Sequence, residues 1–228
     1  AIARLGRLDR LRQGAEAALA AGDLTGARAT VAALAGLYDG RPDLVWGARR
    51  FTEQADAVLD AETLLTMAER AYLEPLDQAA RRAIEAAARQ VAAVTALVPL
   101  ALADVAVALL ANVRMIRAIA VIYGGRSGFL GSLRLLRAVM VHLLATGAVA
   151  VGDDLIHSVA GGGLLSKLSR RFGEGVVNGA LTARVGVAAI EVCRPLPFAA
   201  LPRPRVTNLV TRGLKGLFGG TKADGGNS

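Results

Sequence analysis

Residues 181–198 read LTARVGVAAIEVCRPLPF, and the reading of this run decides the fold. It is apolar and helix-like, carries Arg184 and Glu191 inside it, and ends at Cys193-Arg194-Pro195-Leu196-Pro197. A lipid-spanning helix, a catalytic segment around the only cysteine, and the packed centre of a helical protein are the three readings. Just upstream and within it, Gly175, Gly179, Ala183 and Gly186 recur at spacings of four, four and three. They make one small-residue stripe, which lets another helix backbone approach closely, either in an oligomer or in a helix-packing seam. Ions on an apolar helix are costly unless paired. We therefore expect a buried polar network of Asp104, Asn112, Arg184 and Glu191, with Asp104 or Glu191 as the partner of Arg184. A proton or ion relay is the other reading of these residues, and it requires a membrane-spanning bundle.

Working outward, CRPLPFAALPRPR has four prolines between Pro195 and Pro204, so it is extended. VTNLVTRGLKGLF then places Val206, Leu209, Val210, Gly213, Leu214, Leu217 and Phe218 on one face, a short basic amphipathic helix. Residues 220–228 read as a disordered tail. In the other direction, VAAVTALVPLALADVAVALLA from Val91 has Asp104 as its only charge and is long enough for a transmembrane candidate. Pro99 and Asp104 inside it argue for a long helix from Pro99 to Tyr123 buried in protein instead. A Gly-rich break at 124–128 precedes another apolar helical region, and Gly161-Gly162-Gly163 reads as a hinge or a helix end.

The first ninety residues are amphipathic. A helix over 1–21 stops at Gly22-Asp23, a hairpin turns at Asp39-Gly40-Arg41-Pro42, and a third helical region covers about 52–72. Pro75 is placed to open the next helix at its first turn. With strong helix formers dominating, the fold class is all-α. The chain divides into amphipathic helices over 1–90, an apolar core and oligomerisation region over 91–194, a Pro-rich segment with its basic helix over 195–219, and the tail.

The net charge is +8, yet residues 51–90 hold eight acidic and four basic side chains, so the apolar remainder is also the basic part. That pairing suits an anionic membrane surface better than DNA, since the residues that read bases are scarce; no nucleic-acid partner is expected. Membrane-contact candidates are Arg4, Arg7, Arg134, Arg137, Arg170, Arg171, Arg212, Lys215, Leu214 and Phe218. His142 and His157 lack metal-ligand spacing, and neither a phosphate-binding loop nor a G-x-S-x-G elbow occurs. Arg194 would lower the Cys193 pKa only if both met the same solvent; a buried, inert thiol is the default. No catalytic residue, cofactor or metal is expected, and the chain does not read as an enzyme.

GDLTGARATVAALAGLYDGRPDLVWG, VPLALADVAVALLANVRMIRAIAVIYGG and above all GALTARVGVAAIEVCRPLPF resemble the YcjF family of uncharacterised bacterial inner-membrane proteins, over residues 5–218. The resemblance implies an inner-membrane protein with this portion facing the cytoplasm, following a transmembrane hairpin, and association with a YcjX-type GTPase. The expectation is an elongated helical bundle, dimeric through residues 99–192 and BAR-like, that binds anionic lipid as a scaffold. A regulatory adaptor docking a GTPase through the acidic 53–85 zone or the proline segment is the alternative. An integral channel or transporter component is the third.

Overall fold

The computed structural model describes residues 2–97, 101–124, 137–139, 141 and 164–218. Among the described residues the protein is all-α, with no strand. The helices are α1 (Ile2–Ala21), α2 (Leu24–Leu37), α3 (Val45–Ala55), α4 (Ala61–Ala68), α5 (Glu74–Leu97), α6 (Ala101–Ile122), α7 (Leu164–Cys193) and α8 (Val206–Phe218).

Local chemistry sets the N-terminal boundaries. Gly22 ends α1 at a φ of 62°, a left-handed conformation that favours glycine. The Asp23 carboxylate then caps α2 by accepting from the Thr25 amide at 2.9 Å. Leu8, Leu11, Ala15 and Ala18 of α1 and Ala27, Val31 and Leu34 of α2 are buried, so the two helices join along short side chains. The chain reverses at Gly40 and makes a short 3-10 turn over Pro42–Leu44 before α3.

The continuous helical region expected over 52–72 is broken at 56–60. Asp60 starts α4 by accepting from the Thr63 amide at 2.8 Å, and these bonds hold its carboxyl below the usual range. Arg28 pins the preceding loop by donating to the Val58 carbonyl at 3.1 Å.

Pro75 stands in the first turn of α5, as its placement implied, but no break precedes it. The chain runs helically from Ala61 to Leu97, and Glu69–Leu73 form a π-helical turn between α4 and α5. Proline lacks an amide hydrogen, and in an α-helix its ring meets the carbonyl four residues back, here Ala71. A wider π turn just before Pro75 relieves that clash without ending the helix. The Ala71 carbonyl lies against α3, where a Cβ on Gly47 would overlap it.

The described helices fall into two compact units that interleave in sequence. One takes its described residues from Ala1–Ala80, Arg117–Ala138 and Ala189–Arg203, the other from Arg81–Ile116, Val139–Ala188 and Pro204–Ser228. In the first, Tyr72 stacks on Tyr38 with ring centroids 6.3 Å apart and meets Phe51 edge-on at 5.8 Å. In the second, α7 packs its small face on α5. Built Cβ atoms would fall 2.7 Å from the Ala92 carbonyl oxygen at Gly175, 3.1 Å from that of Ala88 at Gly179, and 2.5 Å from the Ile84 side chain at Gly186. Ala183 is fully buried beside them, so this stripe is filled within the chain. Gly213 of α8 likewise closes on the Glu85 carbonyl.

Candidate functional site: a buried arginine between two carboxylates

Helix α7 ends at Cys193 because Pro195 follows, and the next side chain, Arg194, turns inward to 1% exposure. Its Nη2 donates to Glu69 Oε1 at 2.7 Å and to Asp77 Oδ2 at 3.0 Å, and its Nε donates to Asp77 Oδ1 at 3.1 Å. Nη1 reaches back to the carbonyls of Leu196 and Pro197, both at 2.7 Å. The guanidinium carbon stands 3.9 Å from the centroid of the Phe198 ring. Glu69 is placed by the π turn and Asp77 by the first turns of α5, so one helical run supplies both anions.

The carboxylates are satisfied in turn. Glu69 accepts from the amides of Ala199, Ala200 and Leu201, at 3.1, 2.6 and 3.3 Å. Asp77 accepts from the Tyr123 hydroxyl at 2.5 Å. Tyr38 donates to the Tyr123 carbonyl at 3.5 Å, and Arg12 of α1 donates to the carbonyls of Arg194 and Val192. Burial pulls the Arg194 pKa down, but the hydrogen bonds and charges of Asp77 and then Glu69 outweigh it and leave it raised. Burial likewise raises Tyr38, and raises Tyr123 with help from the Asp77 charge. Every donor of the Arg194 guanidinium is engaged, so the cluster fastens the proline segment to the π turn.

Cys193 beside it is fully buried, and burial pushes its thiol up to about 12 despite the Arg12 charge. Among the described residues no three of His, Cys, Asp and Glu are grouped to hold a metal ion. His142 and His157 lie outside the described residues, as do Arg134, Pro99 and the tail.

Among the described residues, the fully buried ions that pair are Arg194, Glu69 and Asp77. Asn112 donates to the Ala108 carbonyl of its own helix at 2.9 Å. Glu191 is half-buried, 3.9 Å from the exposed Arg203, and Arg184 is half-buried. The Asp104 side chain is outside the described set, with those of Arg4, Arg170, Arg171 and Phe218. Of the remaining membrane-contact candidates, Arg7, Arg137, Arg212 and Lys215 are exposed, Arg212 being 3.1 Å from Glu85. Leu214 is buried and Leu209 with it, because α8 seats its apolar face on the protein; Leu214 does not face a bilayer here. Within the acidic zone Glu69 and Asp77 hold Arg194, Glu85 meets Arg212 and Glu53 meets Arg49 at 3.2 Å, while Asp56, Asp60, Glu62 and Glu74 are exposed.

The sequence model of a family described as a domain of unknown function, DUF697, matches residues 59–219, well over half of the chain. The chain belongs to the DUF697 family. The DUF697 segment contains Glu69, Asp77 and Arg194, whereas Arg12, Tyr38 and all of α3 precede it. The chain is 50% identical over 190 residues to a UPF0283 membrane protein of Rhizobium meliloti, with 83% of this chain and 53% of that protein covered. It is 44% identical over 210 residues to a UPF0283 membrane protein of Bradyrhizobium diazoefficiens, covering 92% of this chain and 61% of that one. The chain thus spans little more than half the length of these relatives. No solved structure matches. Among the described residues of this DUF697 chain, one stretch, Gly173–Cys193, is long and apolar enough to cross a membrane by length and composition, and it carries the glycine face packed on α5.

Proposed function

We propose that the chain is a non-enzymatic, membrane-associated helical scaffold that binds anionic lipid through its exposed arginines, on the cytoplasmic face of a bacterial inner membrane. The distribution of charge carries this reading. Arg194, Glu69 and Asp77 are taken inside together, which leaves the rest of the chain one positive charge above the formal +8. Arg7, Arg50, Arg82, Arg89, Arg114 and Arg117 are exposed and form no ion pair among the described residues. Each such side chain near an anionic leaflet contributes about 1 kcal/mol. That the similar proteins are named membrane proteins supports the same reading.

Co-sedimentation with vesicles containing phosphatidylglycerol tests it. Binding at low salt that weakens as salt is raised, with none to phosphatidylcholine alone, is expected; no binding at low salt overturns the proposal. A BAR-like homodimer that bends the bilayer is the finer form of this reading. It requires a face other than the glycine stripe of α7, and tubules under the electron microscope together with a dimer mass by light scattering are its test.

A further inference from the structure

Helix α3 has two unlike sides. Phe51 is buried and Gly47 closes on Ala71, while Trp46, Arg49, Arg50 and Glu53 are exposed. Positions three, four and seven beyond Trp46 share its face, so these four make one stripe. Trp46 is 85% exposed, the chain's only tryptophan, and Val45 beside it is 56% exposed. Arg41 donates to the Ile122 carbonyl at 2.5 Å and so ties the last turn of α6, where Val121 is exposed and which follows the exposed Arg117, to the turn before α3. The acids Asp43 and Glu53 are already engaged, by Arg41 at 2.5 Å and by Arg49 at 3.2 Å. Arg50 and Arg117 keep their charge without an ion pair among the described residues.

An indole held in water forgoes a large apolar contact, and its ring is suited to the headgroup level of a bilayer, apolar body inward and N–H outward. An arginine one turn away can lay its stem along the acyl boundary and keep its head at the phosphates. We infer that the exposed stripe of α3 is the element that enters an anionic bilayer, with Trp46 as its anchor and Arg50 on the lipid phosphates. This deepens the lipid-binding reading above and rests on it.

The sole tryptophan makes the test direct. The 228-residue chain is titrated with phosphatidylglycerol vesicles while Trp46 emission and sedimentation are followed on the same samples. The expected result is binding accompanied by a shift of emission to shorter wavelength and quenching by lipids brominated on the acyl chain. Trp46→Ala is expected to keep its helical circular dichroism and bind about tenfold more weakly or worse. Binding without a shift or quenching overturns the assignment of α3 and leaves the lipid-binding reading standing. Absence of binding overturns both. A shift that appears with protein concentration alone, before vesicles are added, assigns the stripe to a second copy of the chain and overturns it as a membrane anchor.

Discussion

At the residue scale the fold turns on one cation. Arg194 is 1% exposed and neutralises two anions that come from one helical run, so its removal leaves Glu69 and Asp77 buried without compensation. Arg194→Met is expected to cost about 3–5 kcal/mol, read as a lowered urea midpoint by circular dichroism. Arg194→Lys recovers only part of that, since an ammonium cannot reproduce the planar fork that reaches Asp77, Glu69 and two carbonyls at once. A Met variant as stable as the parent would remove the cluster from any account of the fold. Cys193 offers a second check. With its thiol near 12, it should resist thiol reagents at mildly alkaline pH and react only once the protein is unfolded. The sequence made Arg194 visible as the end of a helix but not as a buried ion, because its partners lie 117 and 125 residues away in an acidic stretch that looks solvated. An ion such as Arg184 or Glu191 within an apolar run stands out in a sequence, whereas Glu69 and Asp77 do not, because their neighbours are charged.

At the scale of elements, Pro75 lies in the first turn of α5 where its signal puts it, and the π turn before it joins that helix to α4 without a break. Pro75 does mark an irregularity, yet the helix passes through it, since the widened turn at Glu69–Leu73 removes the clash that would have stopped it. Glu69 belongs to that turn, so the irregularity also positions one of the two anions. Gly47 is the matching piece on α3. Gly47→Ala forces a methyl onto the Ala71 carbonyl and is expected to cost about 1–3 kcal/mol in a chemical melt. Gly36→Ala in α2, where nothing lies within 4 Å of the new methyl, is the control and should stabilise by up to about 1 kcal/mol. Equal effects of the two substitutions would mean that α3 does not close on the π turn. The small residues of α7 were legible from spacing alone; that they face α5 of the same chain was not, because spacing names a close approach without naming the helix that makes it.

At the scale of the whole molecule, an all-α chain was readable from composition and period, but its two compact units were not, since each gathers distant segments. Helical periodicity reports which face is buried and carries no information on which helix returns to cover it. The tyrosines give a test of that assembly for the unit that holds residues 1–80. The chain has three, Tyr38, Tyr72 and Tyr123, and burial raises the pKa of each above the ordinary 10.0. Folding therefore favours the neutral phenol. The sign follows by linkage: the stability is fully present below the unfolded value near 10 and is lost as pH rises through the higher folded values. Arg194, its own pKa raised, remains charged over this window, so the loss belongs to the phenols together with the buried Cys193 thiol, whose pKa is also raised. Phenolate absorbance should stay low past pH 10 and then rise in a single step that coincides with the loss of helical circular dichroism. Tyrosines that titrate near 10 while the helix signal persists would show that Tyr38, Tyr72 and Tyr123 are not enclosed together, and with them would fall the packing that brings α2, the π turn and the end of α6 around Asp77.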